Sequence, residues 1–232
     1  MKKNSKRYKE LLKTSKDLKK NELKEVFELV KKTSTAKFDE SIDVSLRIGL
    51  KQSKGGDFNL RTVFQLPNGS GKKVRIAVLC ESEKVKEAKK CGADIAGSDD
   101  LIEKIASGKF DFDKLICTPA MMGKIGKHGK VLGPKGLMPN PKLGSVTDDL
   151  KKAVKNAKSG QVEIKNDKDG NIGLSIGKKN FSDEQLLTNY NAIIETFEKE
   201  KSNNIIKGNL IKNVFVTSSM GVSYKVKLEK NI

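Results

Sequence analysis

Val74-Arg75-Ile76-Ala77-Val78-Leu79 reads as a β-strand, and the chain after it alternates between strand and helix. Ser82 caps a short helix running to about Lys90, and Asp94-Ile95-Ala96 is a brief strand. Ser98 caps a helix with Leu101, Ile102 and Ile105 on one face. Leu115-Ile116-Cys117 is a further strand, and Thr147 caps a helix carrying Leu150, Val154 and Ala157. Such alternation predicts a small three-layer α/β domain around a parallel sheet. Two breaks bracket it. Pro67-Asn68-Gly69-Ser70-Gly71 has turn chemistry, and Lys158-Ser159-Gly160 ends a helix with glycine in the stop position. Pro67, Gly69, Ser159 and Gly160 are therefore the expected hinge between two domains.

Outside the breaks the pattern changes. Leu23, Val26, Phe27 and Val30 sit at helical spacing, whereas Ser41–Leu50 alternates through Ile42, Val44, Leu46 and Ile48. Arg61–Leu66 is another strand. Beyond the second break, Gln161–Lys165 and Asn171–Ile176 read as strands joined by a turn at Asn166–Gly170. Ser182 and Gln185 make a capping box, opening a helix striped with Leu186, Leu187, Tyr190, Ile193, Ile194 and Phe197. Val214-Phe215-Val216 and Ser223–Leu228 supply two more strands. Neither flank alone has enough apolar material for a core. The expected fold class is thus α+β and α/β. Residues 1–67 plus 160–232 form a split antiparallel-sheet domain, with residues 68–159 inserted as the α/β domain.

The 232 residues hold 47 Lys+Arg against 29 Asp+Glu, a net charge of +18. Such an excess repels itself and calls for a polyanionic partner. Only Arg7, Arg47, Arg61 and Arg75 are arginine; a lysine-rich balance suits phosphates and shape more than guanine edges. The first 20 residues carry nine cations and are expected to order on a partner. No apolar run approaches the roughly 18 residues of a membrane span, and no secretory leader is visible behind the basic start. Three cysteines without CxxC spacing and a single histidine, His128, leave no zinc site, so neither metal nor cofactor is expected.

Between Asp113 and Asp148 there is no acidic residue. Lys114, Lys124, Lys127, Lys130, Lys135 and Lys142 lie there among Pro134, Pro139, Pro141 and six glycines. A Gly/Pro-rich path of this kind is expected to be irregular and to present lysines to phosphates. Gly126-Lys127-His128-Gly129 is a GxxG motif, although the following Val-Leu-Gly-Pro ends any helix quickly. Enzyme signatures are missing: Cys80-Glu81-Ser82 fills the turn where a dinucleotide fingerprint would stand, and there is no Walker motif. Cys117 has no base beside it, and Asp99-Asp100, Asp148-Asp149 and Asp183-Glu184 all stand at helix starts, where they complement the dipole. Two clusters of small polar residues beside an apolar one suit ribose and phosphate recognition. They are Lys37-Phe38-Asp39-Glu40-Ser41 and Thr217-Ser218-Ser219-Met220-Gly221; ordinary turn chemistry accounts for them equally well. A regulatory RNA or DNA binder using the basic loop, and a small α/β enzyme, are the competing readings.

The run Gly129-Lys-Val-Leu-Gly-Pro-Lys-Gly-Leu-Met-Pro-Asn-Pro-Lys142, continuing through Gly144-Ser-Val-Thr147, closely resembles the signature of the L-one family of large-subunit ribosomal proteins, bacterial branch. Ala36-Lys-Phe-Asp-Glu40, Leu66-Pro-Asn-Gly-Ser-Gly-Lys72, Thr118-Pro119, Met121-Met122 and Ser219-Met-Gly221 support it. The resemblance implies a cytoplasmic, ribosome-associated protein, monomeric when free, with no membrane partner. Its implied partners are large-subunit rRNA at a mobile stalk, tRNA in the exit site and its own messenger RNA, whose translation it would repress. It assigns RNA contacts to Lys37, Phe38, Ser41, Arg47, Lys165, Ser175, Ser219, Met220 and Gly221. A secondary phosphate or tRNA contact falls to Lys124, Lys127, Lys130, Lys135 and Lys142. This chain departs from the family pattern at Ser219, usually threonine, at Gly173, usually histidine, and at Thr62, usually glycine. The segment Lys51–Asn59 also lacks the usual Asp-Pro-Arg-Lys-Ser-Asp.

Overall fold

The computed structural model describes residues 5–15, 22–49, 60–108, 110–203 and 210–228. Its elements run α1 (Lys6–Ser15), α2 (Leu23–Thr33), β1 (Ser41–Ile48), β2 (Arg61–Gln65), β3 (Ile76–Leu79), α3 (Val85–Lys90), β4 (Ile95–Gly97) and α4 (Asp99–Ala106). They continue with β5 (Lys114–Cys117), α5 (Pro119–Gly126), α6 (Gly129–Leu132), α7 (Leu150–Lys158), β6 (Gln161–Lys165), β7 (Asn171–Lys178), α8 (Asp183–Asn203), β8 (Ile211–Ser218) and β9 (Tyr224–Lys225). The architecture is mixed α/β. Packing gathers the chain into two compact units, Met1–Gly71 with Val162–Ile232, and Lys72–Gln161.

In the first unit β1 is the centre of a four-stranded antiparallel sheet ordered β7-β1-β8-β9. Its alternation puts Ile42, Val44, Leu46 and Ile48 on one face, beside Ile172, Leu174 and Ile176 of β7 and Val214 and Val216 of β8. Two helices cover that face. Val26, Phe27 and Val30 come from α2, and Leu186, Tyr190, Ile193, Ile194 and Phe197 come from α8. A stripe of period 3.6 thus meets a surface of period 2, which is how one face of an antiparallel sheet is buried while the other stays open. The capping box forms as expected: Gln185 N–H donates to Ser182 Oγ at 3.2 Å and Ser182 N–H to Gln185 Oε1 at 3.0 Å.

The strands joined by the turn at Asn166–Gly170 belong to different sheets. β6 pairs with β2 in a separate two-stranded sheet, while β7 pairs with β1. Asn166 explains the switch. It is buried, its Oδ1 accepts the Leu60 N–H at 2.5 Å, and its own N–H donates to the Leu60 carbonyl at 3.2 Å. The residue after β6 is thereby tied to the residue before β2. Asp167 then turns the chain, its carboxylate accepting the N–H groups of Asp169 and Asn171 at 3.0 and 2.7 Å.

The second unit has the expected three layers. Its parallel sheet runs β4-β3-β5. Ala77, Leu79, Leu115 and Cys117 pack against Leu101, Ile105, Met121, Ile125 and Leu132, whereas Ile76, Val78 and Ile116 pack against Ala88, Leu150, Val154 and Ala157. Three local expectations change. Ser82 begins a 3-10 turn, and neither Ser82 nor Ser98 makes a side-chain cap. Asp149 rather than Thr147 caps α7, accepting the Lys152 N–H at 3.2 Å. The Gly/Pro-rich stretch is partly helical: α5, with Pro119 in its first turn where the missing N–H costs nothing, and α6 occupy its first part, while residues 133–140 keep the expected irregular path. Residues 6–15 of the basic N-terminal segment are already a helix; residues 1–4, 16–21 and the atypical Lys51–Asn59 lie outside the described residues. Among the described residues no helix is long and apolar enough to cross a membrane.

Phe27 has no exposed surface, so Phe27→Ala is expected to cost about 3–5 kcal/mol. Lys24→Ala, on the outer side of α2, should cost below about 0.5 kcal/mol. Urea unfolding followed by circular dichroism checks both; equal costs would contradict the assigned face.

Candidate nucleic-acid interface

The open face of the four-stranded sheet is a row of small and polar side chains. Along β1 it presents Ser41, Asp43, Ser45 and Arg47, each half-buried or exposed. In register, Asp43 lies between Ser175 and Thr217, Ser45 between Gly173 and Phe215, and Arg47 between Asn171 and Asn213. Lys225 lies opposite Phe215, with Nζ 5.8 Å from its ring centroid. Beside Ser45 and Gly173 an open groove of about 470 Å³ is lined by Lys165, Asn166, Asp167 and Asn171.

At the Ser41 end, three segments distant in sequence are tied into one knot. Ser219 N–H donates to the Ser41 carbonyl and Ser41 N–H to Ser219 Oγ, both at 3.0 Å. Glu40 has no exposed surface. Its Oε1 accepts the Ala36 N–H at 2.9 Å and its Oε2 the Met220 N–H at 3.0 Å. The Met220 carbonyl in turn accepts Arg7 Nη2 at 2.7 Å, while Arg7 Nη1 donates to Thr35 Oγ1 at 3.0 Å. Lys178 Nζ donates to Ser41 Oγ at 2.9 Å. Burial alone would raise the Glu40 pKa. The N–H groups of Ala36 and Met220, the Ser218 hydroxyl and the Arg7 charge outweigh it, so the carboxyl titrates below its ordinary 4.5. Gly221 closes the turn, where an added Cβ would lie 2.3 Å from Ser218 Oγ.

Fixed on this knot, Phe38 and Met220 are 55% and 51% exposed, the large apolar side chains left uncovered among the described residues. Six of the residues singled out from sequence meet here: Lys37, Phe38, Ser41, Ser219, Met220 and Gly221. Ser175 and Arg47 stand farther along the open face. Arg47 is six residues from Ser41, about 20 Å at 3.3 Å per residue. Lys165 reaches the groove from the neighbouring sheet. Sequence reasoning missed Asp43, Ser45 and Phe215, which the alternation of β1 and β8 already carried, and Lys225 on the short β9. It also missed Glu40 and Arg7 as organisers, for which no local signal existed.

In the second unit the lysines are unequal. Lys124 pairs with Asp99 at 2.7 Å, and Lys135 Nζ sits 3.7 Å over the Phe110 ring. Lys127 and Lys130 are exposed where the GxxG motif joins α5 to α6, so it does link two helices, the second a single turn. The Lys142 side chain lies outside the described residues. Cys117 is buried, and burial pushes its thiol up to about 11, leaving no thiolate nucleophile at neutral pH. Pro67 and Gly69 fall in the first unit, and Ser159 and Gly160 in the second. Asn68 N–H donates to Asn189 Oδ1 at 3.0 Å and Asn189 Nδ2 to the Gly69 carbonyl at 3.0 Å, pinning the first turn to α8.

The open polar sheet face thus ends in two exposed apolar side chains carried on a hydrogen-bonded knot. Residues 30–222 match the model of the ribosomal protein L1p/L10e family. "Large ribosomal subunit protein uL1" from Pelagibacter ubique (strain HTCC1062) is 63% identical over 228 residues, which cover 98% of this chain and 99% of that protein. The chain belongs to the ribosomal protein L1p/L10e family. It is a ribosomal protein, not an enzyme.

Because the Glu40 pKa is depressed in the fold, its stabilising contribution is full at neutral pH and fades as pH falls through the folded value. Glu40→Gln offers one acceptor oxygen to two N–H donors, so it should cost about 1–3 kcal/mol at pH 7. It should also flatten part of the acid loss below the ordinary carboxylate range. Denaturant melts at pH 7 and pH 3.5 read both; equal pH dependence in the two proteins would contradict the clamp.

Proposed function

We propose that this protein is a structural constituent of the large ribosomal subunit and binds large-subunit rRNA through the open sheet face and the Phe38–Met220 end. The name of the 63% identical relative supports this reading. So does the observation that carries it: two apolar side chains stay exposed because a buried carboxylate and an arginine hold their backbone in place. Phe38 and Met220 pack on sugars. Ser41, Ser175, Ser219 and the Gly221 turn meet ribose hydroxyls and phosphates, while Lys37, Arg47 and Lys165 contribute charge. The platform recognises a preformed RNA shape more than a base sequence.

Three finer roles belong to the same proposal. The exposed Lys127 and Lys130, with Lys124, Lys135 and Lys142, form a weaker phosphate contact that serves tRNA leaving the exit site. A messenger that mimics the rRNA site would occupy the same platform and be repressed. The turns at Pro67, Gly69, Ser159 and Gly160 flank the two chain crossings between the units and serve as joints. The protein works ribosome-associated in the cytoplasm.

The test is binding to a structured large-subunit rRNA fragment. Affinity should fall with salt, with a log–log slope of several units. Met220→Asp and Phe38→Ala should each weaken binding roughly tenfold or more, whereas Lys127→Ala should cost only about the single phosphate contact it removes. A flat salt response, or the reverse ranking of variants, would contradict the proposal.

A further inference from the structure

The charge of the split unit is very unevenly placed. Residues 1–71 and 162–232 hold 28 Lys+Arg against 18 Asp+Glu, a net +10. The first 20 residues alone hold nine cations against Glu10 and Asp17, a net +7. The remaining 122 residues, which build the platform, therefore carry only +3. A platform so close to neutral reads shape well but attracts phosphates weakly.

The helix α1 places part of that charge. Lys6, Lys9 and Lys13 are exposed, and at 100° per residue they fall within about 60° of the helix circumference. Glu10, the helix's one acid, stands about 40° to the side of Lys6. The opposite side, with Arg7, Tyr8, Leu11, Leu12 and Ser15, is half-buried. Arg7 fixes the helix to the site, because Nη2 donates to the Met220 carbonyl at 2.7 Å and Nη1 to Thr35 Oγ1 at 3.0 Å. The peptide groups on both sides of Met220 are thus held, the N–H by Glu40 and the carbonyl by α1. From this anchor the lysine stripe runs about 10.5 Å along the helix axis.

We infer that α1 is a docked basic arm of the RNA interface, with Lys6, Lys9 and Lys13 engaging the phosphates of the strand that flanks the shape held by Phe38 and Met220. The inference rests on the rRNA-binding reading and divides its labour. The platform supplies preference for a folded RNA, and the arm supplies the salt-sensitive share of affinity. Lysine suits this role as a mobile point charge that needs no fixed geometry at the phosphate.

The experiment compares the full chain with a K6Q/K9Q/K13Q variant, using a structured large-subunit rRNA fragment and a plain duplex of equal length at several salt concentrations. Lys and Gln have similar helix propensity, so the helix persists. The expected result is a log–log salt slope lower by about 2, at roughly 0.7–0.9 per lost contact, with the preference for the structured fragment retained. Arg7→Gln frees the Met220 carbonyl as well as the helix, so it should lower both the affinity and that preference. An unchanged slope in the triple variant, with wild-type preference intact, would overturn the arm alone. Tighter binding by the triple variant would make α1 a cover over the site and overturn it too. A wild-type chain that shows no preference for the structured fragment would overturn this inference together with the rRNA-binding reading beneath it.

Discussion

Glu40 is a carboxylate with no exposed surface, and it holds two backbone N–H groups that lie 184 residues apart in the chain, those of Ala36 and Met220. A buried charge is tolerated only where its lone pairs are met, and a buried N–H left without an acceptor would cost more than the bond returns. Both requirements are met by bringing the entry to β1 against the exit from β8. Once those segments are joined, Ser41 and Ser219 complete the ladder between them, and Gly221 must lack a side chain to pass Ser218. Phe38 and Met220 are then left facing outward on rigid backbone. Rigidity matters because a surface that fits a preformed shape loses affinity for every degree of freedom it must freeze on binding.

Shape and charge are separated in this molecule. The open face of the sheet mixes Asp43 with Arg47 and Lys225 among serines, threonine and asparagines, so charges of both signs alternate along it. Exposed lysines are carried instead by α1 and, in the second unit, by the stretch from α5 to residue 135. Two of the latter are already partnered, Lys124 by Asp99 and Lys135 by the Phe110 ring.

Much of the fold was legible because it rests on local periodicity. Ile42, Val44, Leu46 and Ile48 mark β1 by alternation, Leu186 through Phe197 mark α8 by helical spacing, and Ser182 with Gln185 mark its start. The alternating strands and helices of the second unit gave its three layers in the same way. What escaped depended on contacts remote in sequence. The turn at Asn166–Gly170 was legible, but which strands pair on either side of it depends on Asn166 binding Leu60. Thr147 and Asp149 are both good caps, and only the path of the chain decides that Asp149 faces Lys152. For the site, the resemblance of short motifs marked Phe38 and Met220. The residues that hold them, Glu40 and Arg7, look in sequence like ordinary surface charges.

Hydroxyl-radical footprinting of the full chain with and without a structured large-subunit rRNA fragment tests the platform most directly, because Phe38 and Met220 are both exposed and readily oxidised. The account predicts that RNA slows oxidation of these two side chains severalfold while leaving the half-buried Met122 of the second unit little changed. Protection confined to the second unit, with Phe38 and Met220 oxidised at their free rates, would contradict it.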